Sequence, residues 1–218
     1  MSLMAVLNGT TPGKGPFSVL MRHAERFEFI DYGDEPVLTQ KGHQDAYKLG
    51  WEVAPHARFR VFHSPIERCL QTARGICEGV NGRKGHCEVA GDIELLGPSL
   101  FIVDREGIIR SLEGNDRRFV RLWFDGKISE DVIVPMEKAA QQTFSLMTGQ
   151  LTGDPILTIN VSHDWNIMVL LERYFPFRHE EMEYPGFLSS VVAWRETDTI
   201  VLQYGEQICR IDPSGGQQ

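Results

Sequence analysis

The chain has no apolar run long enough to cross a membrane and no excess of basic residues. No run approaches the roughly 20 residues that a membrane-spanning helix needs. Lys and Arg number 22 against 30 Asp and Glu, which gives a formal net charge of −8. Because nucleic acids and anionic membrane surfaces bind basic surfaces, we expect neither as a partner. A small anionic ligand is compatible with this charge, since a few arginines can gather in one pocket of an acidic protein.

Cysteine is also scarce, with four in 218 residues. There is no Cys-x-x-Cys pair and no Cys/His spacing typical of a zinc site, and Cys69 and Cys77 lie two turns apart on one predicted helix, beyond disulfide reach. We therefore expect the cysteines to be small buried side chains in a reducing compartment. The first residues lack the charged and apolar segments of a signal peptide, so we expect a cytoplasmic location.

The hydrophobic spacing predicts strands that alternate with helices, which indicates an α/β fold. We expect one domain over residues 1–218, a three-layer sandwich with a doubly wound, mostly parallel sheet, in which residues 97–135 form a small insertion or cap. The predicted strands are 17–21, 58–63, 87–90, 155–161, 190–194 and 199–204. The first predicted helix is capped by Thr39 and runs to about Trp51. The second is capped by Ser64 and runs to about residue 80, and the others span 117–124, 136–150 and 167–174.

Charged residues follow three of the predicted strands directly. In doubly wound sheets, ligands bind beyond the carboxyl ends of the strands, so we expect these side chains to share one crevice. They are Arg22, His23, Arg26, Arg68, His163 and Asp164.

This set of residue types is suited to phosphoryl transfer. Three guanidiniums and a helix N-terminus can bind a dianionic phosphate. One imidazole can attack phosphorus, since its ordinary pKa of about 6.5 leaves much of it unprotonated at neutral pH, while the second imidazole can donate to a phosphoryl oxygen. A carboxylic acid can protonate the departing alcohol and later take a proton from water. The set needs no metal and no cofactor.

The same segments resemble the motifs of the histidine phosphatase superfamily, also called phosphoglycerate mutase-like. Leu20-Met21-Arg22-His23-Ala24-Glu25-Arg26 is similar to its Arg-His-Gly motif, and Leu38-Thr39-Gln40-Lys41-Gly42 to its Leu-Thr-x-x-Gly helix start. His63-Ser64-Pro65-Ile66-Glu67-Arg68-Cys69-Leu70-Gln71-Thr72-Ala73 resembles its Ser-Ser-Pro-x-x-Arg-x-x-Gln-Thr-Ala segment, and Val161-Ser162-His163-Asp164 its late strand-end His.

The resemblance implies a role for each matching residue. It makes His23 the phosphorylated nucleophile and assigns Arg22, Arg68 and His163 to the phosphate. Arg26 and the pair His163-Asp164 are similar to the acid-phosphatase branch, where the Asp is the proton donor. In the mutase branch the donor is a Glu some two dozen residues after the second Arg, and Glu94 stands at about that place. Both Asp164 and Glu94 are therefore candidates for the donor.

Some positions depart from the pattern of the family. Ala24 stands where Gly is usual, so the turn after His23 must accept a Cβ, and His63 stands where Ser is usual. Arg26 has a competing interpretation as an ion-pair partner of Asp31 or Asp34, and Trp165 as a core residue rather than a pocket wall. Glu25 is expected to balance charge, and Arg117, Arg118 and Arg121 suit either the substrate's distal groups or a solvated helix face.

Together these observations predict a metal-independent phosphomonoester hydrolase that acts on a small phosphorylated metabolite through a phosphohistidine. The alternatives are a phosphoglycerate-type mutase, against which the absence of a Leu-Asn-Glu-Arg stretch near Glu94 counts, and a catalytically weak module that binds a phosphorylated ligand. A metal-dependent phosphohydrolase with a His-Asp pair is disfavoured, since those enzymes are helical and His163 follows a β-branched strand. The sequence carries no signal of oligomeric state.

Overall fold

The computed structural model describes residue 3 and residues 15–28, 35–55, 58–97, 100–112, 116–153, 156–176, 178–181 and 184–212. Within these ranges the strands are β1 (Phe17–Arg22), β2 (Arg58–His63), β3 (Cys87–Asp92), β4 (Ile156–Ser162), β5 (Ser190–Glu196), β6 (Thr199–Tyr204) and β7 (Gln207–Ile211). The α-helices are α1 (Gln40–Val53), α2 (Glu67–Gly82), α3 (Arg105–Leu112), α4 (Asp116–Phe124), α5 (Met136–Gly149) and α6 (Asp164–Tyr174), with short 3-10 helices at Glu94–Leu96 and His179–Glu181.

One mixed sheet contains all seven strands, in the order β3-β2-β4-β1-β5-β6-β7. The first four in this order are parallel, and β5, β6 and β7 continue the sheet in antiparallel fashion from β1. The α/β class predicted from the sequence is confirmed, and the parallel strands form the core of the sheet. The antiparallel pairs β5–β6 and β6–β7 follow from tight turns, because a hairpin connection such as the one at Thr197 returns the chain beside itself.

Alternate residues of β1 face two separate hydrophobic cores. Val19 and Met21 pack into a core with the apolar faces of α1 and α2, and Leu20 packs into another with α4, α5 and α6. Successive side chains of a strand point to opposite faces, so a continuous apolar strand with helices on both sides is the expected arrangement for the centre of such a sheet. The result is three layers, with the carboxyl ends of β1, β2 and β4 exposed to one common side.

Three details of the elements differ from the sequence predictions. Helix α2 begins at Glu67 with Ile66 at its N-cap position, so Ser64 is not the cap; its Oγ accepts from the Ile66 N–H at 3.3 Å. Helix α6 begins at Asp164 rather than Ile167. Helix α3 and strand β7 were not predicted, since both are short and neither has a clear hydrophobic period.

The expectation for the cysteines is wrong for two of them. Cys77 near the end of α2 and Cys87 at the start of β3 form a disulfide across the turn that joins these elements. The helix-spacing argument excluded only a pair within α2, and the turn at residues 83–86 brings the second thiol back. Disulfides are typical of oxidising compartments, so this contact argues against the predicted reducing location. Cys69 is a free, buried thiol, as expected.

None of the helices in the described ranges combines the length and the apolar composition needed to cross a bilayer.

Candidate active site

The ends of three neighbouring strands bring the predicted residues together. Arg22 lies level with Ser162 in the pairing of β1 with β4, and His63 lies level with Val161 in the pairing of β2 with β4. The chain stays in register just beyond the strands, because the His23 N–H donates to the Ser162 carbonyl at 3.0 Å. The segments after β1, β2 and β4 therefore meet at one edge of the sheet.

His23 is almost completely buried, and one of its ring nitrogens is engaged. Its Nδ1 lies 2.8 Å from the Ala24 carbonyl. Because a carbonyl can only accept, Nδ1 carries the proton and Nε2 keeps a lone pair. Burial, together with the charges of Arg68, Arg22 and Arg26 and against the opposing hydrogen bond to Ala24, lowers the pKa of His23 to about 3. The imidazole is thus a free base at neutral pH.

His163 faces His23 with a ring-centroid distance of 5.5 Å, and both of its nitrogens have partners. Nη2 of Arg68 donates to Nδ1 at 3.3 Å, so Nε2 carries the proton and donates to Ser64 Oγ at 3.0 Å. Burial, and then the charge of Arg68, hold the pKa of His163 well below its usual value.

Three guanidinium groups surround the two imidazoles. Burial lowers the pKa of Arg26 and of Arg68, and the positive charges of neighbouring arginines lower both further. Arg68 is almost fully buried, whereas Arg26 also donates to the Phe27 carbonyl at 2.7 Å. Mutual repulsion of this kind is relieved when an anion binds between the cations, so the cluster is suited to a phosphate.

Arg22 is held from two directions. Its Nη2 lies 3.0 Å from Asp164 Oδ2, and its Nη1 donates to the Pro185 carbonyl at 2.5 Å. Asp164 is the first residue of α6 and is partly exposed, so this carboxylate lies at the open side of the cluster.

Glu94 occupies a different position. It begins the 3-10 helix Glu94–Leu96, and its side chain is exposed. The preceding Ile93 N–H donates to the His63 carbonyl at 2.9 Å, which places this helix at the same edge of the sheet. The structure therefore joins Asp164 directly to the arginine cluster and leaves Glu94 at its periphery.

Several other predictions can be compared with the contacts. Glu25 accepts from Thr39 Oγ1 and lies 3.7 Å from Lys41 Nζ, so its charge is balanced outside the cluster. Trp165 packs against Phe119 and Trp123, which supports the core interpretation. Arg121 forms ion pairs with acidic residues of its surroundings, namely Asp125, Glu172 and Glu180. The side chain of Arg117 and all of Asp31, Asp34 and His56 lie outside the described residues.

One part of the site, Thr72, was not recognised as such in the sequence, and another, residues 184–189, was expected only to help set the choice of substrate. Thr72 Oγ1 accepts from the Ala24 N–H at 3.0 Å and donates to the Arg68 carbonyl at 2.8 Å, so one hydroxyl links the turn after His23 to the segment that carries Arg68. Residues 184–189, here called the strap, cross the end of β1 and place Phe187 near His23. The Gln-Thr-Ala motif contained the signal for Thr72, whereas the strap has no motif.

The Cβ of Ala24 fits into the turn after His23 without backbone strain. Ala24 is fully buried in the core shared with α1 and α2, and it is not among the described residues with positive φ. The described part of the chain contains no group of three or more His, Cys, Asp or Glu side chains placed to hold a metal ion.

Comparison with known proteins agrees with the motifs. Residues 18–92 match the model of the Histidine phosphatase superfamily (branch 1), which confirms the resemblance carried by the first two strand ends. The match ends before Glu94, His163 and Asp164, so the acid-phosphatase-like His-Asp pair stays a prediction. No curated protein sequence matches the chain.

Solved structures with the same fold include enzymes of phosphate chemistry. Bacillus stearothermophilus YhfR is 18% identical with a TM-score of 0.59, covering 87% of this chain and 96% of that one. A phosphoserine phosphatase mutant from Entamoeba histolytica is 16% identical with a TM-score of 0.56, covering 88% and 97%. A phosphoglycerate mutase from Bacillus anthracis is 13% identical with a TM-score of 0.56, covering 88% and 94%. At these identities the likeness shows the fold.

Proposed function

With the match of residues 18–92 to the histidine phosphatase superfamily as the premise, we propose that this chain is a metal-independent phosphomonoester hydrolase that acts through a phosphohistidine on a small phosphorylated metabolite. The observation that carries the proposal is the state of His23. Its Nδ1–H is held by the Ala24 carbonyl, and its unprotonated Nε2 belongs to a buried ring surrounded by arginines. A nucleophile held in this way is ready to attack a phosphate bound by those arginines.

The first half of the reaction transfers the phosphoryl group. Nε2 of His23 forms a bond to phosphorus while the bond between phosphorus and the ester oxygen breaks, and the departing oxygen takes a proton from Asp164. Arg22, Arg26 and Arg68 stabilise the charge of the phosphoryl oxygens. His163 assists by holding the Arg68 guanidinium, whose Nη2 donates to its Nδ1.

The second half is hydrolysis of the intermediate. Asp164, now a carboxylate, takes a proton from water, and the oxygen of that water bonds to phosphorus as the bond to Nε2 breaks. Inorganic phosphate leaves, and His23 returns to its starting form. A mutase would instead return the phosphoryl group to the bound alcohol.

The ion pair between Arg22 and Asp164 places the proposed donor next to the phosphate-binding group. Asp164 Oδ2 lies 3.0 Å from Nη2 of Arg22, and a dianionic phosphate competes with this carboxylate for the same guanidinium. When phosphate binds Arg22, the Asp164 carboxyl is released from its ion pair and can serve the leaving group.

A phosphate-release screen tests the proposed function. Sugar phosphates, nucleotides, phosphoglycerates and phosphopeptides are incubated with wild type and with His23→Ala as the blank. His43→Ala is the matched control, because His43 is an exposed residue of α1. We expect His43→Ala to release phosphate at the wild-type rate and His23→Ala to release it at least about a thousandfold more slowly. Wild-type release equal to the blank on every substrate would refute a hydrolase.

The same incubations distinguish the alternatives. Formation of 2-phosphoglycerate from 3-phosphoglycerate without inorganic phosphate would identify a mutase. Tight phosphate binding without turnover of any ester would identify a binding module. A labelled protein formed from ³²P-substrate by wild type and absent from His23→Ala would support the phosphohistidine. The cytoplasmic location predicted from the sequence requires reduced Cys77 and Cys87 thiols, whereas their disulfide requires an oxidising compartment, and titration of these thiols in protein freshly isolated from cells decides between the two.

A further inference from the structure

We propose that Phe187 forms a wall of the leaving-group side of the site and selects phosphomonoesters whose alcohol carries an aromatic or other apolar ring. The inference deepens the proposed function, on which it rests, by naming the chemical class of the substrate. It starts from an apolar ring that is exposed to solvent beside the nucleophile.

Phe187 combines exposure with proximity to the catalytic groups. Its residue surface is 41% exposed, yet its ring centroid lies 5.7 Å from that of His23. The Arg22 guanidinium carbon lies 4.6 Å from the centre of the same ring. One part of the ring therefore packs against the phosphate-binding groups, and the rest is open at the mouth of the site. An apolar surface in that place gains most when an apolar part of a ligand covers it.

The strap holds the ring in this position through the backbone of β1. The Arg22 N–H donates to the Ser189 carbonyl at 3.0 Å, and the Leu188 N–H donates to the Arg22 carbonyl at 3.2 Å. Leu188 has a φ of 59°, a left-handed conformation that is unfavourable for a branched side chain. Such a conformation persists only when surrounding contacts impose it, so the position of Phe187 next to Arg22 is a built feature of the fold.

Two arginines of the cap are paired with carboxylates within the protein. Arg110 pairs with Asp104 and Glu106, and Arg121 pairs with Asp125, Glu172 and Glu180. Neither of these two arginines therefore forms a second anion site. The arginines at the sheet edge are sufficient for one phosphate, and Phe187 offers the rest of the substrate an uncharged ring.

Binding and turnover of matched ligand pairs test this inference. The first pair is 2-phenylethylphosphonate and ethylphosphonate, which cannot be hydrolysed and whose dissociation constants are measured by calorimetry. The second pair is 2-phenylethyl phosphate and ethyl phosphate, whose alkyl leaving groups are chemically similar. We expect wild type to prefer the phenyl member about tenfold in both Kd and kcat/KM. Phe187→Ala should reduce the preference to less than about threefold, and Phe187→Leu should keep part of it.

The controls separate selection from a structural role. Ile208→Ala removes an exposed apolar side chain on the edge strand β7, which is separated from β1 by β5 and β6. This variant should keep the tenfold preference. The inhibition constant of inorganic phosphate should change less than about twofold in Phe187→Ala. Equal binding of the two phosphonates by wild type, or equal losses on both esters and on phosphate in Phe187→Ala, would overturn the inference. The phosphonate result is independent of turnover, so a failure of the hydrolase proposal is recognised separately.

Discussion

At the scale of single residues, the two imidazoles differ in which of their atoms are engaged. His163 uses both ring nitrogens, one toward Arg68 and one toward Ser64. His23 uses Nδ1 toward its neighbouring carbonyl, which leaves Nε2 for a substrate. The sequence offered two strand-end histidines of similar surroundings, and the hydrogen bonds assign them different parts. This difference is the physical reason for naming His23 as the nucleophile.

The two donor candidates can be distinguished by the leaving group. We expect Asp164→Asn to lower kcat/KM for an alkyl phosphate by about 10²- to 10⁴-fold, the usual contribution of a general acid. The loss for p-nitrophenyl phosphate should be much smaller, because p-nitrophenolate leaves without a proton. Glu94→Gln, which replaces an exposed carboxyl, should stay within about threefold on both esters. Full turnover of the alkyl ester by Asp164→Asn, with a loss in Glu94→Gln, would reverse the assignment.

Thr72 is expected to support the nucleophile loop. Thr72→Val keeps the shape of the side chain but removes the acceptor of the buried Ala24 N–H. An unsatisfied buried donor lowers the free energy of unfolding by about 1–3 kcal/mol, which urea denaturation measures, and kcat should fall as the loop loosens.

Thr143 provides the matched control for that substitution. It is also fully buried, and its hydroxyl donates to the Ala139 carbonyl within α5. Thr143→Val leaves no backbone N–H without a partner, so it should lower the free energy of unfolding less than Thr72→Val and leave kcat unchanged. Equal effects of the two valines on both quantities would contradict a special role of Thr72.

At the scale of elements, α1 packs closely against α2, the helix whose first turn carries Arg68. A Cβ built on Gly79 would lie 2.1 Å from the Tyr47 carbonyl oxygen, and one on Gly50 would lie 2.0 Å from the Ile76 carbonyl oxygen. Both neighbours are backbone atoms, which cannot rotate away. The glycines therefore allow the two helix backbones to approach each other, and the sequence pattern alone did not show this role.

Gly79→Ala should separate these helices. We expect the free energy of unfolding to fall by several kcal/mol, on the order of other overpacked core positions, as measured by urea denaturation. Gly149→Ala is the matched control, because a Cβ at that last residue of α5 would meet no atom within 4 Å. It should be neutral or stabilise by up to about 1 kcal/mol. A Gly79→Ala protein as stable as wild type would show that α1 and α2 can shift freely.

Most elements could be predicted from sequence where a single period covers the whole segment. Strand β2 has the bounds expected, and α1 begins after Thr39, whose Oγ accepts from the Gly42 N–H at 3.0 Å. The predicted start of α2 was wrong, since the helix begins at Glu67 and the Ser64 hydroxyl is shared between the Ile66 N–H and His163 Nε2. Local preference was overridden there by a contact 99 residues away in sequence.

At the scale of the whole molecule, a net charge of −8 coexists with a buried cationic cluster. Beyond roughly 8–10 Å at physiological salt the charges of the surface are screened, so a small ligand in the site responds mainly to the nearby arginines. The buried histidines lie in the same field, so protonating them opposes the folded state.

The stability of the protein should fall as the pH falls below about 6.5. In the unfolded chain His23 binds a proton near 6.5, whereas in the fold its pKa is about 3, so the unfolded state binds more protons between these values. His163, whose pKa is also lowered, acts in the same direction. Each imidazole contributes up to about 1.4 kcal/mol per pH unit in that window. Urea denaturation at pH 7, 6, 5 and 4 in phosphate-free buffer measures the slope.

A His23→Gln variant identifies the contribution of His23 to this slope. Glutamine does not titrate, so the dependence of the unfolding free energy on pH should become shallower by up to about 1.4 kcal/mol per unit between pH 6 and 4. An unchanged slope in His23→Gln would contradict the lowered pKa.

The sequence by itself determined the α/β class, the three strand ends and the residue types gathered there, because hydrophobic period and strand direction are local properties that a chain carries in its order of residues. Only the tertiary structure decided that both nitrogens of His163 are engaged, which carboxylate pairs with Arg22, that Cys77 bonds to Cys87, and that Phe187 lies against His23. Each of these depends on contacts between segments far apart in sequence or across a turn. Distances of that kind are set when the elements pack, and no local pattern encodes them.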